Sequence, residues 1–320
     1  MTPVTGPWPA HVRLVEVGPR DGLQNENVSI APAERVRFAL ALAAAGLTDI
    51  EVGAFVRPDR VPQMAGTEEV LALLNQAVLE FPALGKVRFI VLVPNAKGLE
   101  RALAAGAKNV AVFTAVSESF NRKNIGMGVD ESFDAIAPVV AEARAKGLWV
   151  RGYLSTVFGC PYEGPVDPVR AASVAVRLAD LGVDEVSLGD TIGVATPAGV
   201  GEVLGSIGTR IPMEKLALHM HDTRGTALVN VMAGLLLGVR TFDASAAGLG
   251  GCPFAPGATG NAATEDLVYF LHGLGMQTGV DVRKLVEAAT PIEELLGRAL
   301  PGHVYQAWRR SPQVSEMFRR

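Results

Sequence analysis

The sequence has few cysteines, little net charge and no long apolar run, and so lacks the features typical of proteins of oxidising compartments, nucleic-acid-binding proteins and membrane proteins. Its 320 residues include two cysteines, Cys160 and Cys252, too few for a disulfide framework and without metal-ligand spacing. The 29 Lys and Arg residues nearly balance the 33 Asp and Glu residues, and a net charge of −4 excludes a general electrostatic surface for nucleic acid. No apolar run approaches the roughly 18 residues that span a bilayer. The start, "MTPVTGPWPAHV", shows no secretion or transit signal, so we expect a cytoplasmic protein without membrane or nucleic-acid partners.

Short β-branched segments alternate along the chain with Ala/Leu-rich segments of helical length. Eight predicted strands lie at 12–17, 49–53, 87–93, 109–116, 149–154, 185–189, 216–220 and 241–246. Predicted helices lie at 32–45, 67–80, 96–105, 131–146, 167–181, 196–207, 225–237 and 262–273. Eight strands alternating with eight helices are typical of an α/β protein of the (β/α)8 TIM-barrel class. A doubly wound sheet is the alternative, and the lack of a Gly-rich turn opening the first helix argues against it.

The sequence continues beyond the eighth predicted helix. The segment "DVRKLVEAATPIEELLGRAL" predicts one or two further helices, and "PGHVYQAWRRSPQVSEMFRR" predicts a helical or loosely ordered tail. We therefore expect a TIM-barrel catalytic domain over 1–280 and a C-terminal helical extension, packed on the barrel, over 281–320.

Polar residues concentrate where the predicted strands end, which is where TIM barrels carry their reacting groups. Arg20 and Asp21 follow the first strand in "GPRDGLQNEN", Glu51 lies in the second strand, and Asp190 ends the sixth. Glu51 or Asp190, taken alone, is also compatible with a solvated loop carboxylate. Their clustering at one rim favours an active site there.

His219 and His221 lie at positions i and i+2 of the seventh strand, in "LALHMHDTRG". Their side chains point to the same side, with Cβ atoms roughly 7 Å apart. A lone histidine in an apolar strand is usually a hydrogen-bonded core residue, whereas a same-face pair at a barrel mouth favours metal binding. Because the cysteines do not cluster, the expected further ligands are oxygens of Asp21 and Asn261, which suit Mg²⁺ or Mn²⁺, with Zn²⁺ or Co²⁺ as alternatives. Asp222 is expected to cap the helix that follows.

Two segments at the same rim carry further candidates. The segment "GLGGCPFAPGATGN" holds Cys252 among glycines, where the thiol could act as an acid or base in a mobile lid or simply be a small buried residue. The segment "SESFNRKNIGMG" (117–128) is predicted to be a polar, basic loop after the fourth strand. Its Arg122 and Lys123 are candidates for phosphate binding, or equally for a solvated charge pair.

Four segments together resemble the 3-hydroxy-3-methylglutaryl-CoA lyases of the DRE-TIM metallolyase superfamily: "VEVGPRDGLQNE", "SLGDTIG", "HMHDTRG" and "GLGGCPFAPGATGNAATEDLVY". The likeness runs in order from about residue 11 to about residue 275. The "GPRDG" and "HxHD" motifs are shared with the wider superfamily, while the cysteine-containing loop is distinctive of the lyases.

The resemblance implies roles for individual residues. The positions that match the family's divalent-metal ligands are Asp21, His219, His221 and Asn261. Arg20 matches the substrate-binding arginine, Cys252 matches the loop cysteine of the active site, and Gln24 lies in the motif beside the metal. Glu51 and Asp190 match acidic active-site positions, so that Cys252, Arg20, Glu51 and Asp190 are the catalytic candidates. The resemblance also implies an acyl-CoA substrate and a homodimer.

The reaction that the resemblance implies is a retro-Claisen cleavage of 3-hydroxy-3-methylglutaryl-CoA to acetoacetate and acetyl-CoA, the chemistry of leucine degradation. The alternatives are a related lyase acting on citramalyl-CoA or on a longer branched 3-hydroxyglutaryl-CoA, and a Claisen-condensing acyltransferase. A metal-dependent hydrolase is disfavoured because the His-x-His pair lies on the seventh strand and not on the first. The base that takes the hydroxyl proton stays open among Asp21, His219 and Asp190.

Overall fold

Eight strands form a closed parallel barrel in the computed structural model, which describes residues 6, 8–251, 260–311 and 313. Together with two further short strands, the strands of the described residues are β1 (Arg13–Glu16), β2 (Asp49–Ala54), β3 (Arg88–Leu92), β4 (Asn109–Ala115), β5 (Trp149–Ser155), β6 (Gly159–Cys160), β7 (Gly164–Pro165), β8 (Glu185–Gly189), β9 (Leu216–His219) and β10 (Thr241–Ala244). The order around the barrel is β1-β10-β9-β8-β5-β4-β3-β2, and β6 and β7 form a separate antiparallel pair. The TIM-barrel class is confirmed, and closure of the sheet excludes the doubly wound alternative.

The helices alternate with the barrel strands and continue beyond them. They are α1 (Pro32–Ala44), α2 (Thr67–Glu80), α3 (Ala96–Ala104), α4 (Glu118–Ile125), α5 (Val129–Ala145), α6 (Pro168–Asp180), α7 (Pro197–Ile207), α8 (Ala227–Leu236), α9 (Thr264–Gly273), α10 (Val282–Leu296) and α11 (His303–Arg310). The eight predicted strands and eight predicted helices all lie within two residues of those observed. Over the described residues, every helix is too short or too polar to cross a lipid bilayer.

Local signals explain where the helices begin and end. Pro168 and Pro197 open α6 and α7 at a position where the missing N–H costs nothing. The Thr196 hydroxyl accepts a hydrogen bond from the Gly199 amide at 3.2 Å and caps α7. After α1 the chain turns at Gly46, with φ +107°, and a Cβ there would lie 2.1 Å from a backbone oxygen. Only glycine fits that turn.

The segment after β4 differs from the sequence-based expectation of a loop, because residues 118–125 form the helix α4. The Ser117 hydroxyl accepts from the Phe120 amide at 3.0 Å, and Gly126 ends the helix in the left-handed region with φ +74°. These two caps stabilise a helix whose mostly polar sequence has little apolar periodicity of its own.

The C-terminal helices pack on the barrel helices. The Asp281 amide donates to the Ala45 carbonyl at 2.8 Å, which joins the start of α10 to the end of α1. At α11, the backbone amides of His303 and Val304 donate to the Asp266 carboxylate of α9, at 3.0 and 2.6 Å. The division of the chain at residue 280 stays a prediction.

A buried acidic pair supports the loops at the ends of β1 and β10. Glu16 accepts from the amides of Gly18 and Ala246, both at 2.8 Å. Glu265 accepts from the amide of Ala247, a non-glycine residue with φ +52°, at 2.6 Å. Burial raises the pKa of Glu16 to about 7, and burial together with the nearby charge of Glu16 raises the pKa of Glu265 to about 8.

The Glu265→Gln variant is expected to weaken the pH dependence of stability. A raised pKa in the folded state means that the folded chain binds more protons than the unfolded chain between pH 4.5 and about 8. Glu265 therefore contributes stability below pH 4.5 that is lost as the pH rises through about 8, with a limit of about 1.4 kcal/mol per pH unit for one group. The measurement is the free energy of unfolding in urea with EDTA, at several values from pH 5.5 to 8.5. The same slope in wild type, in Glu265→Gln and in the exposed control Glu214→Gln would contradict this account.

Candidate active site

Three side chains with metal-ligand chemistry converge at the C-terminal end of the barrel. Ligand atoms of Asp21, His219 and His221 all lie within 4.8 Å of one another. Asn261 reaches them from the segment before α9, where its Nδ2 donates to Asp21 Oδ2 at 2.9 Å and its backbone pairs with that of His221. The structure thus brings together the four residues predicted as ligands.

The backbone after β1 explains how Arg20 and Asp21 reach this site. Residues Gly18–Gly22 form one turn of π-helix, in which the Val17 carbonyl accepts from the amides of Arg20 and Asp21 at 3.1 and 2.7 Å. Such turns are rare and are often found at functional sites. Here the turn places two successive side chains at the barrel mouth.

The donor set fits a divalent cation. Nδ1 of His221 and Oδ1 of Asn261 are buried and have no hydrogen-bond partner among the described residues, a state that costs about 1–3 kcal/mol for each group unless a ligand compensates. Burial, reinforced by the nearby His219, lowers the pKa of His221 to about 4, so its imidazole is neutral at neutral pH. Burial disfavours the ionised form of Asp21, but the charges of Arg20 and His219 and the hydrogen bond from Asn261 together outweigh it and hold the pKa of that carboxyl below its usual value. Neutral nitrogen and ionised oxygen donors are what metal binding requires.

A buried ionic network lies beneath the histidines. His219 Nδ1 lies 3.2 Å from Asp243 Oδ2, and Arg151 donates to Asp243 Oδ1 at 2.6 Å. The Ser187 hydroxyl also donates to Asp243, at 2.8 Å. Burial opposes ionisation of Asp243, yet Arg151 and His219 lower its pKa to about 2. Burial likewise opposes protonation of His219, but the hydrogen bond and charge of Asp243 raise its pKa. A carboxylate behind a metal-binding histidine fixes the orientation of the ring.

Arg20 is held on two sides by acids. Its Nε donates to Glu51 Oε2 at 2.7 Å and its guanidinium also donates to Asp21 Oδ1 at 2.8 Å. The Tyr153 hydroxyl donates to the same Glu51 oxygen at 3.2 Å. Burial raises the pKa of Glu51, although the Arg20 charge opposes the shift. Glu51 therefore contacts Arg20 and orients its guanidinium, and its predicted catalytic role stays a prediction.

Sequence reasoning missed Arg151, Tyr153, Ser187 and Asp243. A signal was present in "WVRGYLS", where Arg151 and Tyr153 alternate with apolar residues and so point to the barrel interior. Asp243 interrupts the apolar strand "TFDA" in the same way. Charged side chains that point into a barrel need partners, and here Arg151 and Asp243 are partners of each other.

A cavity of about 1120 Å³ opens over this site. Its lining includes Arg20, Asp21, Gln24, His219 and His221. The remaining lining side chains come mainly from the ends of β2, β3 and β4 and from the segments after them. Three of the four candidate metal donors, Asp21, His219 and His221, thus share one cavity with Gln24.

Of the other predicted site residues, Asp190 lies beside His219, whose carbonyl accepts from the Asp190 amide at 2.9 Å. Asp190 accepts from the amides of Val194 and Ala195, at 2.8 and 3.0 Å, and so holds the turn after β8. Arg122 pairs with Glu118 and Glu131, and the Lys123 ammonium lies 3.7 Å from the centre of the Tyr162 ring. Neither Arg122 nor Lys123 is among the described residues that line the cavity. Cys252 lies outside the described residues.

Contrary to the expectation from the sequence, Asp222 supports the helix that follows without being its N-cap residue: Thr226 occupies that position, and the Asp222 carboxylate accepts from the amide of Ala227, the first residue of α8, at 3.0 Å. The stretch "HMHD" therefore joins two candidate ligands to a residue that supports the following helix.

Comparisons with known proteins agree with this site. A family model described as HMGL-like matches residues 11–292. The 3-hydroxy-3-isohexenylglutaryl-CoA/hydroxy-methylglutaryl-CoA lyase of Pseudomonas aeruginosa is 50% identical over 291 residues, which are 91% of this chain and 95% of that protein. The mitochondrial hydroxymethylglutaryl-CoA lyase of Bos taurus is 47% identical over 306 residues, which are 96% of this chain and 92% of that protein.

A solved structure shows the same architecture. The crystal structure of hydroxymethylglutaryl-CoA lyase from Pseudomonas aeruginosa has a TM-score of 0.90 and 47% identity, over 96% of this chain and 100% of that chain. The family model covers most of the sequence, and both relatives match nearly full length. The chain therefore belongs to the HMGL-like family.

Proposed function

We propose that this chain is a divalent-metal-dependent carbon–carbon lyase that cleaves 3-hydroxy-3-methylglutaryl-CoA to acetoacetate and acetyl-CoA. The observation that carries the proposal is the convergence of Asp21, His219, His221 and Asn261 beside Arg20, in a chain about half identical to proteins named as lyases of this substrate. These names favour the cleavage of 3-hydroxy-3-methylglutaryl-CoA over citramalyl-CoA cleavage and over condensation.

Asp21, His219, His221 and Asn261 would hold the cation, for which we propose Mg²⁺ or Mn²⁺. When bound, such a cation supplies Lewis-acid stabilisation of a developing alkoxide and a template for the substrate oxygens. The base that takes the C3 hydroxyl proton is proposed to be Asp21, His219 or Asp190, of which Asp190 also accepts from two amides of its own turn.

The bond changes of the reaction indicate what Arg20 and Cys252 would do. As the hydroxyl proton leaves, the C3 oxygen becomes the ketone of acetoacetate, the C2–C3 bond breaks, and its electron pair passes to the thioester as an enolate. Arg20, oriented by Glu51, would stabilise the charge on the thioester oxygen. Cys252, on its family resemblance, would donate the proton that converts the enolate at C2 into acetyl-CoA.

Further properties stay predictions. A homodimeric assembly, a role in leucine degradation and the binding of Gln24 to the substrate rest on the resemblance, and a cytoplasmic location rests on the composition of the sequence.

A substrate panel tests the proposed reaction. With Mg²⁺ or Mn²⁺, we expect acetyl-CoA release from 3-hydroxy-3-methylglutaryl-CoA that EDTA abolishes and added metal restores. The panel includes citramalyl-CoA and, because the Pseudomonas aeruginosa relative is named for it, 3-hydroxy-3-isohexenylglutaryl-CoA. Cleavage of citramalyl-CoA with an inert 3-hydroxy-3-methylglutaryl-CoA would contradict the substrate. Condensation of acetyl-CoA with a 2-oxo acid would contradict the reaction class.

The Arg20→Gln variant is expected to lower kcat by roughly 100- to 1000-fold, the usual effect of removing one oxyanion donor, while metal binding is retained. Cys252→Ala is expected to lower kcat by orders of magnitude without loss of metal. Turnover is measured by acetyl-CoA release, and metal binding is measured by Mn²⁺ titration. Arg144→Gln, a surface substitution of the same kind, is the control. Near wild-type turnover in either active-site variant would remove that residue from the mechanism.

The Asp243→Asn variant is expected to weaken metal binding by roughly 10- to 100-fold, because the asparagine keeps the shape but loses the charge behind His219. The measurement is a calorimetric Mn²⁺ titration of metal-free protein. The matched control is Asp49→Asn, a buried strand aspartate that pairs with Arg13 and Arg88 at the opposite end of the barrel. Equal Mn²⁺ affinity in both variants would show that Asp243 does not support the metal donors.

A further inference from the structure

A β-bulge interrupts β2 next to the active site. Glu51 and Gly53 pair with consecutive residues of β3, so that Val52 is an extra residue between them. Residues two apart in a regular strand point the same way. Here Glu51 points into the barrel, to Arg20, whereas a Cβ on Gly53 would point to Thr67 at the start of α2. The bulge therefore separates the direction of Glu51 from that of the strand end that follows it.

One side chain holds this bulge from the helical layer of the barrel. Arg35 of α1 donates from Nη2 to the Val52 carbonyl and from Nη1 to the Ala65 carbonyl, both at 3.0 Å. The same Nη2 donates to the Thr67 hydroxyl at 3.3 Å, and that hydroxyl also accepts from the Ala54 amide at 3.3 Å. The guanidinium thus joins the bulge to the start of α2.

The space around this guanidinium fits it closely. The Arg35 side chain is fully buried, and a Cβ on Gly53 would lie 2.8 Å from its Nη2. A side chain at position 53 and the guanidinium could therefore not both keep these places. Glycine at this position of the strand permits the close approach of Arg35 to the backbone of β2.

Arg35 is buried without an acid. Among the described residues, no carboxylate forms an ion pair with it, and its Nε has no hydrogen-bond partner. Burial lowers the pKa of Arg35 to about 10, so the guanidinium is still a cation at neutral pH. A buried charge without a counter-ion is costly, and an apolar side chain would fill the same space at lower cost. The contacts of the guanidinium all lie at the bulge and at the segment that leads into α2, which indicates that its role lies there.

We propose that Arg35 is a positioning residue of the active site, which holds the bulge at Val52 and so fixes Glu51 against Arg20. Glu51 directly precedes Val52, and its Oε2 accepts from Arg20 Nε at 2.7 Å. Arg35 is not among the described residues that line the cavity, so it acts on the substrate only through other residues. The inference rests on the proposed function, in which Arg20 stabilises the charge on the thioester oxygen.

The test is a double-mutant cycle between Arg35 and Arg20. Arg35→Met removes the contacts to both carbonyls and keeps a long, buried side chain, and it is made in the wild-type protein and in Arg20→Gln. The control is Arg88→Met, which removes an arginine contact from Asp49 at the start of the same strand. For each protein, kcat and KM are measured by acetyl-CoA release, metal affinity by Mn²⁺ titration, and the free energy of unfolding in urea.

In Arg35→Met we expect kcat to fall roughly 10- to 100-fold, the effect of displacing a positioned group by about 1 Å. KM should stay close to the wild-type value, because Arg20 would act on charge that develops in the transition state. Mn²⁺ affinity should be retained, because Arg35 and Glu51 make no hydrogen bond to the candidate metal donors among the described residues. In Arg20→Gln the same substitution should change kcat little, because the guanidinium that Glu51 positions is absent.

Two further variants take the place of Arg35→Met in the cycle if that protein does not fold. Arg35→Lys keeps the charge but replaces the planar fork with a single ammonium, and it should lower kcat less than Arg35→Met. Thr67→Val removes the hydroxyl that contacts both Arg35 and the Ala54 amide, and it should lower kcat with the same dependence on Arg20.

The inference is overturned if the Arg35 and Thr67 variants keep the wild-type kcat, or if they lower kcat by the same factor with and without Arg20. It is also overturned if Arg88→Met lowers kcat as far as Arg35→Met does, since the effect would then follow from a general weakening of β2. Failure of the proposed function has a different signature, in which the wild-type protein releases acetyl-CoA from no ester of the substrate panel.

Discussion

The site depends on the interactions of one buried group, the Asp243 carboxylate. It accepts from Arg151 and Ser187 and faces His219, so one buried acid links β5, β8, β9 and β10. A buried ion pair repays its desolvation only when its geometry is good and its remaining hydrogen-bonding positions are filled. Here both oxygens are occupied, and the network fixes the imidazole while it joins the strands. The orientation of a metal donor is therefore set by the same contacts that hold four barrel strands in register.

Glu16 has a similar role on β1, the strand next to the one that carries Asp243. It joins the exit of β1, which carries Asp21, to the exit of β10, and it also accepts from the Thr264 hydroxyl at 2.6 Å. Asn261 precedes Thr264 by three residues. Two candidate ligands that are far apart in the sequence are thus positioned by one buried carboxyl group. Burial of Glu16 disfavours its ionised form, and its pKa is raised for this reason.

The sequence predicts the barrel and the donor residues well because both produce strong local patterns. Eight apolar strands are separated by helices, and Asp21, His219 and His221 interrupt apolar or glycine-rich segments at the strand ends. Arg151 and Asp243 are harder to interpret, because a single charged residue in a strand can face solvent, and only the closed barrel shows that these two face each other.

The direction of Arg122 and Lys123 was not predictable for a related reason. Both belong to α4, a helix defined by its caps and not by apolar periodicity. Once the helix forms, the Arg122 guanidinium lies near Glu118 one turn earlier and near Glu131 of α5. The directions of the Arg122 and Lys123 side chains depend on whether the segment is a helix or a loop, and its composition does not show which. The cations that do line the cavity come from segments with no motif of their own.

The arrangement of charge explains how a protein of net charge −4 can bind an anionic thioester. At the deep end, the guanidinium groups of Arg20 and Arg151 face the carboxylates of Asp21, Glu51 and Asp243. These five groups formally carry one net negative charge, which a bound divalent cation would change to one net positive charge. Four further cations line the cavity: Arg57 and Arg101, which are paired with Asp59 and Glu68, and Arg60 and Lys97. A cleft focuses the field of such charges.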